Sequence, residues 1–145
     1  MTRFAGRILR LIAMLAAGGA LVSSVSLYHH YGTSQTSYCS FGESFNCDIV
    51  NRSTYSVISG VPVALIGIIG YLGLLILATF YRSRAETPAM LAIASLTGLG
   101  FALYLTYVEG FVLAAWCVLC LSSLALVSCI SVLSLVLWRH HARRP

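Results

Sequence analysis

The feature that most constrains this chain is where its charges are missing. No Arg, Asp or Glu occurs from Leu11 to Gly42, from Ser53 to Tyr81, from Thr87 to Val108, or from Gly110 to Trp138, and there is no Lys anywhere. A helical crossing of the bilayer hydrocarbon takes about 20 apolar residues, so each interval holds one crossing and none holds two. Lipid admits only helices or closed barrels, and these continuous apolar runs lack the alternation of barrel strands. The expected fold class is all-α integral membrane: a four-transmembrane-helix bundle forming one domain over residues 1–145. The apolar cores fall at Leu9–Tyr28, Val61–Tyr81, Pro88–Tyr107 and Leu113–Trp138, with a long outer loop, His29–Gly60, between helices 1 and 2.

Composition agrees. The chain is 59% hydrophobic and 9% charged, with a mean hydropathy of +0.88; a soluble domain carries about 25% charged residues. A water-soluble globule and a disordered chain are both excluded. The formal charge of +5 raises the question of nucleic acid, and its distribution answers it. Arg3, Arg7 and Arg10 precede the first apolar core, Arg82 and Arg84 separate the second from the third, and Arg139, Arg143 and Arg144 follow the fourth. Four crossings put these eight on one face and only Arg52 on the other. Cytoplasmic loops carry the Lys/Arg excess, so both termini are expected in the cytoplasm. The charge needs no nucleic-acid partner; its partner is membrane lipid. The N-terminus also has the outline of a signal peptide, but its apolar stretch is longer than a usual signal core and no Ala-x-Ala site closes it.

Tyr28, Tyr31, Tyr38, Tyr55, Tyr104, Tyr107, Phe111 and Trp116 fall near the outer boundary, and Phe80, Tyr81 and Trp138 near the inner one, as in an interfacial aromatic belt. Gly67, Gly70 and Gly73 recur on the second helix and favour close helix packing. Pro62 and Pro88 suit first turns of helices, where a missing N–H matters little.

The outer loop is the exception to this economy, since long connections in compact proteins are usually functional. It holds Cys39 and Cys47, and its second half, Asp48–Ser59, mixes apolar and polar residues as a segment lying along the membrane surface does. Cys117-Val-Leu-Cys120 opens the fourth helix at the same face, so two cysteine pairs converge where disulfides persist. A Cys-x-x-Cys on a helix places both sulfurs on one side, and the partial positive charge of the helix N-terminus favours a thiolate at the first. Thiolate attack on a disulfide is the elementary step of thiol exchange. The loop pair faces soluble substrates; the helix pair lies at a depth that a lipid-soluble quinone reaches. Cys129, nine residues further along, reads as a buried small apolar residue. A four-Cys zinc site fits in number, but the seven residues between Cys39 and Cys47 exceed usual ligand spacing. His29-His30 and His140-His141 read as interfacial residues. Glu109 and Asp48 are the acids nearest the cysteines and are candidates for a proton relay, against the plainer reading of solvated loop carboxylates.

Two loop cysteines separated by seven residues, four apolar helices and a Cys-x-x-Cys opening the last resemble the vitamin K epoxide reductase (VKOR) family. The stretch from Cys47 through Ser53 and the Gly60-Val-Pro62-Val-Ala-Leu-Ile-Gly67 run resembles its bacterial members in particular. The resemblance implies a bundle holding a quinone, of ubiquinone or menaquinone type, near the outer surface of a bacterial inner membrane. It implies a quinone-dependent thiol-disulfide oxidoreductase supporting disulfide formation in exported proteins through a thioredoxin-like (DsbA-like) partner. Cys39 would exchange with the partner, Cys47 would pass electrons to Cys117, and Cys120 would close the Cys117–Cys120 disulfide and face the quinone beside Ser53. With six residues after Arg139, the partner is expected to be a separate protein. Vertebrate members carry an Asn near the start of helix 2 and a Tyr where Leu124 stands here; Ser59-Gly-Val-Pro-Val-Ala64 has no Asn. Two alternatives stand beside this reading: a quinone or vitamin K epoxide reductase running the same cysteines in reverse, and a non-catalytic four-helix membrane protein with a structural loop disulfide.

Overall fold

The computed structural model describes residues 2–32, 50 and 53–144, together with the backbone of 40–41 and 45–46. Within these, four long helices form a bundle: α1 (Arg3–Tyr31), α2 (Val63–Thr79), α3 (Thr87–Tyr107) and α4 (Val118–Ala142). Helix α1 packs on α2 and α4, and α3 packs mainly on α4 and less on α2. Two short antiparallel hairpins lie between α1 and α2: β1 (Ser40–Phe41) with β2 (Phe45–Asn46), and β3 (Val57–Ile58) with β4 (Val61–Pro62). A single 3-10 turn, Thr54–Ser56, precedes β3.

Helix α1 is longer than its apolar core at both ends. Thr2 caps it, its Oγ1 accepting from the Ala5 N–H, and the three arginines lie within the helix rather than before it. Arginine is a good helix former, so hydropathy marks the buried stretch and not the helix end. Helix α2 is shorter than expected. Ser59 and Gly60 have positive φ (53° and 84°) and join β3 to β4, as in two-residue hairpins whose twist matches that of the strands. Val61 and Pro62 therefore belong to the hairpin, and Pro62 is the cap of α2 rather than part of its first turn. Helix α3 begins at Thr87 with Pro88 in its first turn, where its fixed φ is already helical.

The largest departure is at α4, which starts at Val118 rather than Leu113. Residues Val108–Leu113 continue α3 as a π-helical turn, and Ala114 then reverses the chain in the left-handed region (φ 50°, ψ 31°). At the far end α4 runs on to Ala142, with Arg139, His140 and His141 in its last turn, where cations complement the helix dipole.

The core is one apolar cluster in which Ile8, Ile12 and Ala16 of α1 meet Tyr71 and Leu74 of α2, Leu91 of α3, and Val127 and Ile130 of α4. Ser131 Oγ donates to the Ser95 carbonyl at 3.1 Å, tying α4 to α3. Outside the core, Met14, Leu21, Ile69, Ile93 and Val132 are exposed on the flanks of the helices. Three helical stretches, Arg3–Tyr31, Thr87–Leu113 and Val118–Ala142, are long and apolar enough to cross a membrane, and Val63–Thr79 is a shorter apolar helix.

Of the three regularly spaced glycines only Gly67 stands at a close contact. A Cβ there would come within 2.9 Å of Ser23 Oγ on α1, whereas Gly70 and Gly73 have open space beside them. The tightest approach is instead at Gly19, where a Cβ would overlap the Tyr71 ring. Replacing Gly19 by Leu is expected to destabilise the bundle by about 1–3 kcal/mol through overpacking. Gly18→Ala, where the Cβ meets nothing, should be neutral. Thermal unfolding of the purified protein in detergent separates the two.

Candidate functional site

The site is built by the way α3 gives way to α4. After the left-handed Ala114, the Ala114 and Ala115 N–H groups both donate to the Glu109 backbone carbonyl. The Glu109 side chain completes the turn. Its Oε2 accepts the Cys117 N–H at 3.3 Å, supplying a partner to one of the donors that a helix start leaves unpaired. Cys117 is the cap of α4, and its carbonyl accepts the first intrahelical bond, from Leu121 N–H at 3.0 Å. The Trp116 ring closes over Gly110, where a Cβ would come within 2.9 Å of it.

Glu109 is 2% exposed. The solvated loop carboxylate expected of it is replaced by a carboxyl folded into the protein. The Cys120 side chain lines the same cavity as Glu109. Its second oxygen, Oε1, is buried with no partner among the described residues.

Beside this turn a cavity of about 480 Å³ opens among the four helices, within the size range of small-molecule sites. Its wall is mostly apolar, from Val22 on α1 through Ile66 on α2 and Phe101 on α3 to Val127 on α4, and Gly70 leaves room on the α2 side. Its polar groups are few. Tyr71 Oη donates to the Ser123 carbonyl at 2.9 Å and pairs with Ser123 Oγ at 2.8 Å. Ser53 Oγ donates to the Val50 carbonyl at 2.8 Å. His30, Tyr55, Cys120 and Glu109 also reach the cavity, and Glu109 is the one carboxylic acid in its lining among the described residues.

Two of the residues expected at the site therefore meet here: Ser53 and Cys120 line one cavity. Cys117 lies behind it, fully buried against Val50 and Ala115, and is one wall removed from the space that Cys120 reaches. No disulfide joins Cys117 to Cys120 in this structure. Cys39, Cys47 and Asp48 lie outside the described residues. Cys129 is exposed on the flank of α4 rather than buried, a position equally suited to a small apolar residue facing lipid. The two neighbouring histidines diverge, His29 being buried and His30 facing the cavity, as adjacent residues on a helix do.

The site residue that sequence reasoning underrated is Glu109. The available signal was its isolation: it is the only acid between Glu86 and the C-terminus, eight residues before Cys117.

The opposite end of the bundle is basic. Arg82, Arg84, His140, His141 and Arg144 line a second cavity where the start of α1, the α2–α3 connection and the end of α4 meet, and Phe4 packs against His140 with ring centroids 5.1 Å apart. Among the described residues, those that line the first cavity and the arginines are thus at opposite ends.

Among protein families, the one described as the vitamin K epoxide reductase family matches residues 10–135 of the chain.

The difference in burial between the two helix cysteines has a direct readout. In the reduced protein a water-soluble maleimide is expected to label Cys120 well before Cys117, followed residue by residue by mass spectrometry. Equal labelling rates would contradict the burial of Cys117.

Proposed function

Since the chain belongs to the vitamin K epoxide reductase family and is a redox oxidoreductase of that kind, we propose that it is a quinone-linked thiol oxidase of the bacterial inner membrane. One single domain over residues 1–145 would carry the whole activity. Four helices span the bilayer with both termini in the cytoplasm, and the cavity lies at the outer face. The observation that carries the reading is the shared cavity of Cys120 and Ser53, set at the end of the bundle opposite the arginines. That polarity is what the excess of Arg on cytoplasmic segments demands.

The cavity suits a quinone. An apolar wall with a few placed polar groups is the usual form of a cofactor site, and the opening among the helices faces the depth at which a lipid-soluble ring travels. Ser53 and Cys120 would hold the ring. A bound quinone of ubiquinone or menaquinone type supplies an acceptor for two electrons and two protons.

The cysteines form the relay. A reduced thioredoxin-like partner attacks a Cys39–Cys47 disulfide, freeing Cys47. Cys47 then attacks Cys117 of the Cys117–Cys120 disulfide and releases Cys120; the partner's second thiol frees Cys39, which retakes Cys47 and leaves Cys117 reduced, and the Cys117/Cys120 dithiol closes again to its disulfide as two electrons and two protons leave into the cavity. Two features support these pairings. Ser40 pairs with Asn46 in the first hairpin, and the residues flanking that pair in the sequence are Cys39 and Cys47; a disulfide there would close the hairpin. Val50, which packs on Cys117, is three residues from Cys47, and three residues of chain reach about 10 Å at most. The pair at the start of α4, not joined by a disulfide here, corresponds to the open form of the second pair.

Direction is set by reduction potential, 30 mV being about 1.4 kcal/mol for a two-electron couple. The test is oxidation of a reduced thioredoxin-like protein by the purified chain, with and without added quinone. Quinone-dependent disulfide formation is expected, and Cys120→Ala should abolish quinone reduction. Retained quinone reduction in that variant would overturn the relay, and thiols indifferent to quinone would favour a non-catalytic bundle.

A further inference from the structure

The relay leaves one group at its centre without a task. Glu109 is fully enclosed, accepts the Cys117 N–H at the start of the Cys-x-x-Cys, and lines the cavity that Cys120 also lines. Two hydroxyl groups of the cavity have partners, Tyr71 with Ser123 and Ser53 with Val50. Glu109 Oε1, buried, has none among the described residues. A buried acceptor left unsatisfied costs about 1–3 kcal/mol, so its retention calls for a role that a Cys117-capping oxygen alone does not fill.

We propose that Glu109 is the acid–base group of the helix dithiol, taking the Cys120 thiol proton as the Cys117–Cys120 disulfide closes and releasing it to a quinone oxygen in the same cavity. The inference rests on the quinone-linked reading above and names the residue that moves its proton. The balance is complete. Two S–H bonds break and one S–S bond forms, the dithiol losing two electrons and two protons. Two O–H bonds form on the quinone, which gains them. Glu109 carries one of the two protons and ends the cycle as it began. Proton transfer by a positioned side chain contributes about 10²–10⁴-fold to rate, and here the carboxyl and the thiol it must serve line the same cavity.

Other titratable groups surround the same space, His30 from α1, Tyr55 from the 3-10 turn, Tyr71 from α2 and Cys120 from α4, with Cys117, the cap of α4, behind its wall. Asp48 and Arg52 lie outside the described residues. All of these are shared between wild type and a Glu109 variant, so a change between the two isolates the carboxyl.

The test compares wild type with Glu109→Gln, which keeps an oxygen for the Cys117 N–H but cannot carry the proton. In the fully reduced chain without quinone, the rate of Cys120 alkylation is measured against pH by mass spectrometry. Two interacting groups titrate in two steps; wild type is expected to show two inflections and Glu109→Gln one. Quinone-coupled turnover should fall about 100-fold, with the thermal midpoint unchanged. Superimposable alkylation profiles, or turnover within threefold of wild type, overturn the proposal. Glu109→Asp keeps the acid on a shorter stem and should retain two inflections. Should Glu109→Gln not fold, an Asp variant whose profile coincides with wild type overturns the proposal, and a two-step profile displaced from it upholds it. Because the profile needs no quinone, a wild-type chain that ignores quinone refutes the proposed function separately, while the profile still decides the acid–base role.

Discussion

The hydrogen bond from the Cys117 N–H to the Glu109 carboxylate oxygen holds the candidate site together. It joins the end of α3 to the start of α4 across a chain reversal that has little else to fix it: a π-helical turn, one left-handed alanine and a tryptophan folded over a glycine. A non-glycine residue in the left-handed region is uncommon and persists where the surroundings determine it. Here the surroundings are the paired donation of Ala114 and Ala115 to the Glu109 carbonyl and the capture of Cys117 by its side chain. One residue thereby sets the helix start, the burial of Cys117 and the presentation of Cys120 to the cavity.

A second constraint acts over the whole bundle. Among the described residues the arginines are confined to one end and the cavity to the other, so a helix can be shifted along the bundle axis only by moving arginine into the apolar region or filling the cavity. Helix contacts are close where side chains are small: at Gly19 against Tyr71 and at Gly67 against Ser23. The first of these also places Tyr71, whose hydroxyl reaches Ser123 across the cavity wall. The packing that stabilises α1 on α2 thus shapes the cavity that α3 and α4 close.

Much of this architecture is legible in the sequence because lipid imposes so few solutions. Four charge-free intervals specify four helices, and Pro88 marks the start of α3 to within a residue. The start of α4 is not legible in the same way. Hydropathy continues unbroken through Leu113, Ala114, Ala115 and Trp116, and an apolar run does not reveal a π-helical turn or a left-handed alanine. The arginines inside α1 mislead for the opposite reason, being polar yet helical. The resemblance to the vitamin K epoxide reductase family places Ser53 and Cys120 together, whereas the enclosure of Glu109 depends on how the turn folds back over it. Spacing also singles out Gly67, Gly70 and Gly73 alike, but a glycine matters only where a neighbour approaches, and that neighbour is chosen by the tertiary structure.

The central claim is that electrons pass from the loop cysteines to Cys117, and trapping the intermediate tests it most directly. Replacing Cys39 and Cys120 by Ser removes the alternative partner of each reacting sulfur. In that chain, mildly oxidised in membranes and digested without reduction, mass spectrometry should find a peptide joined through Cys47 and Cys117. Complete recovery of Cys47 and Cys117 as separate thiols under the same oxidation would contradict the account.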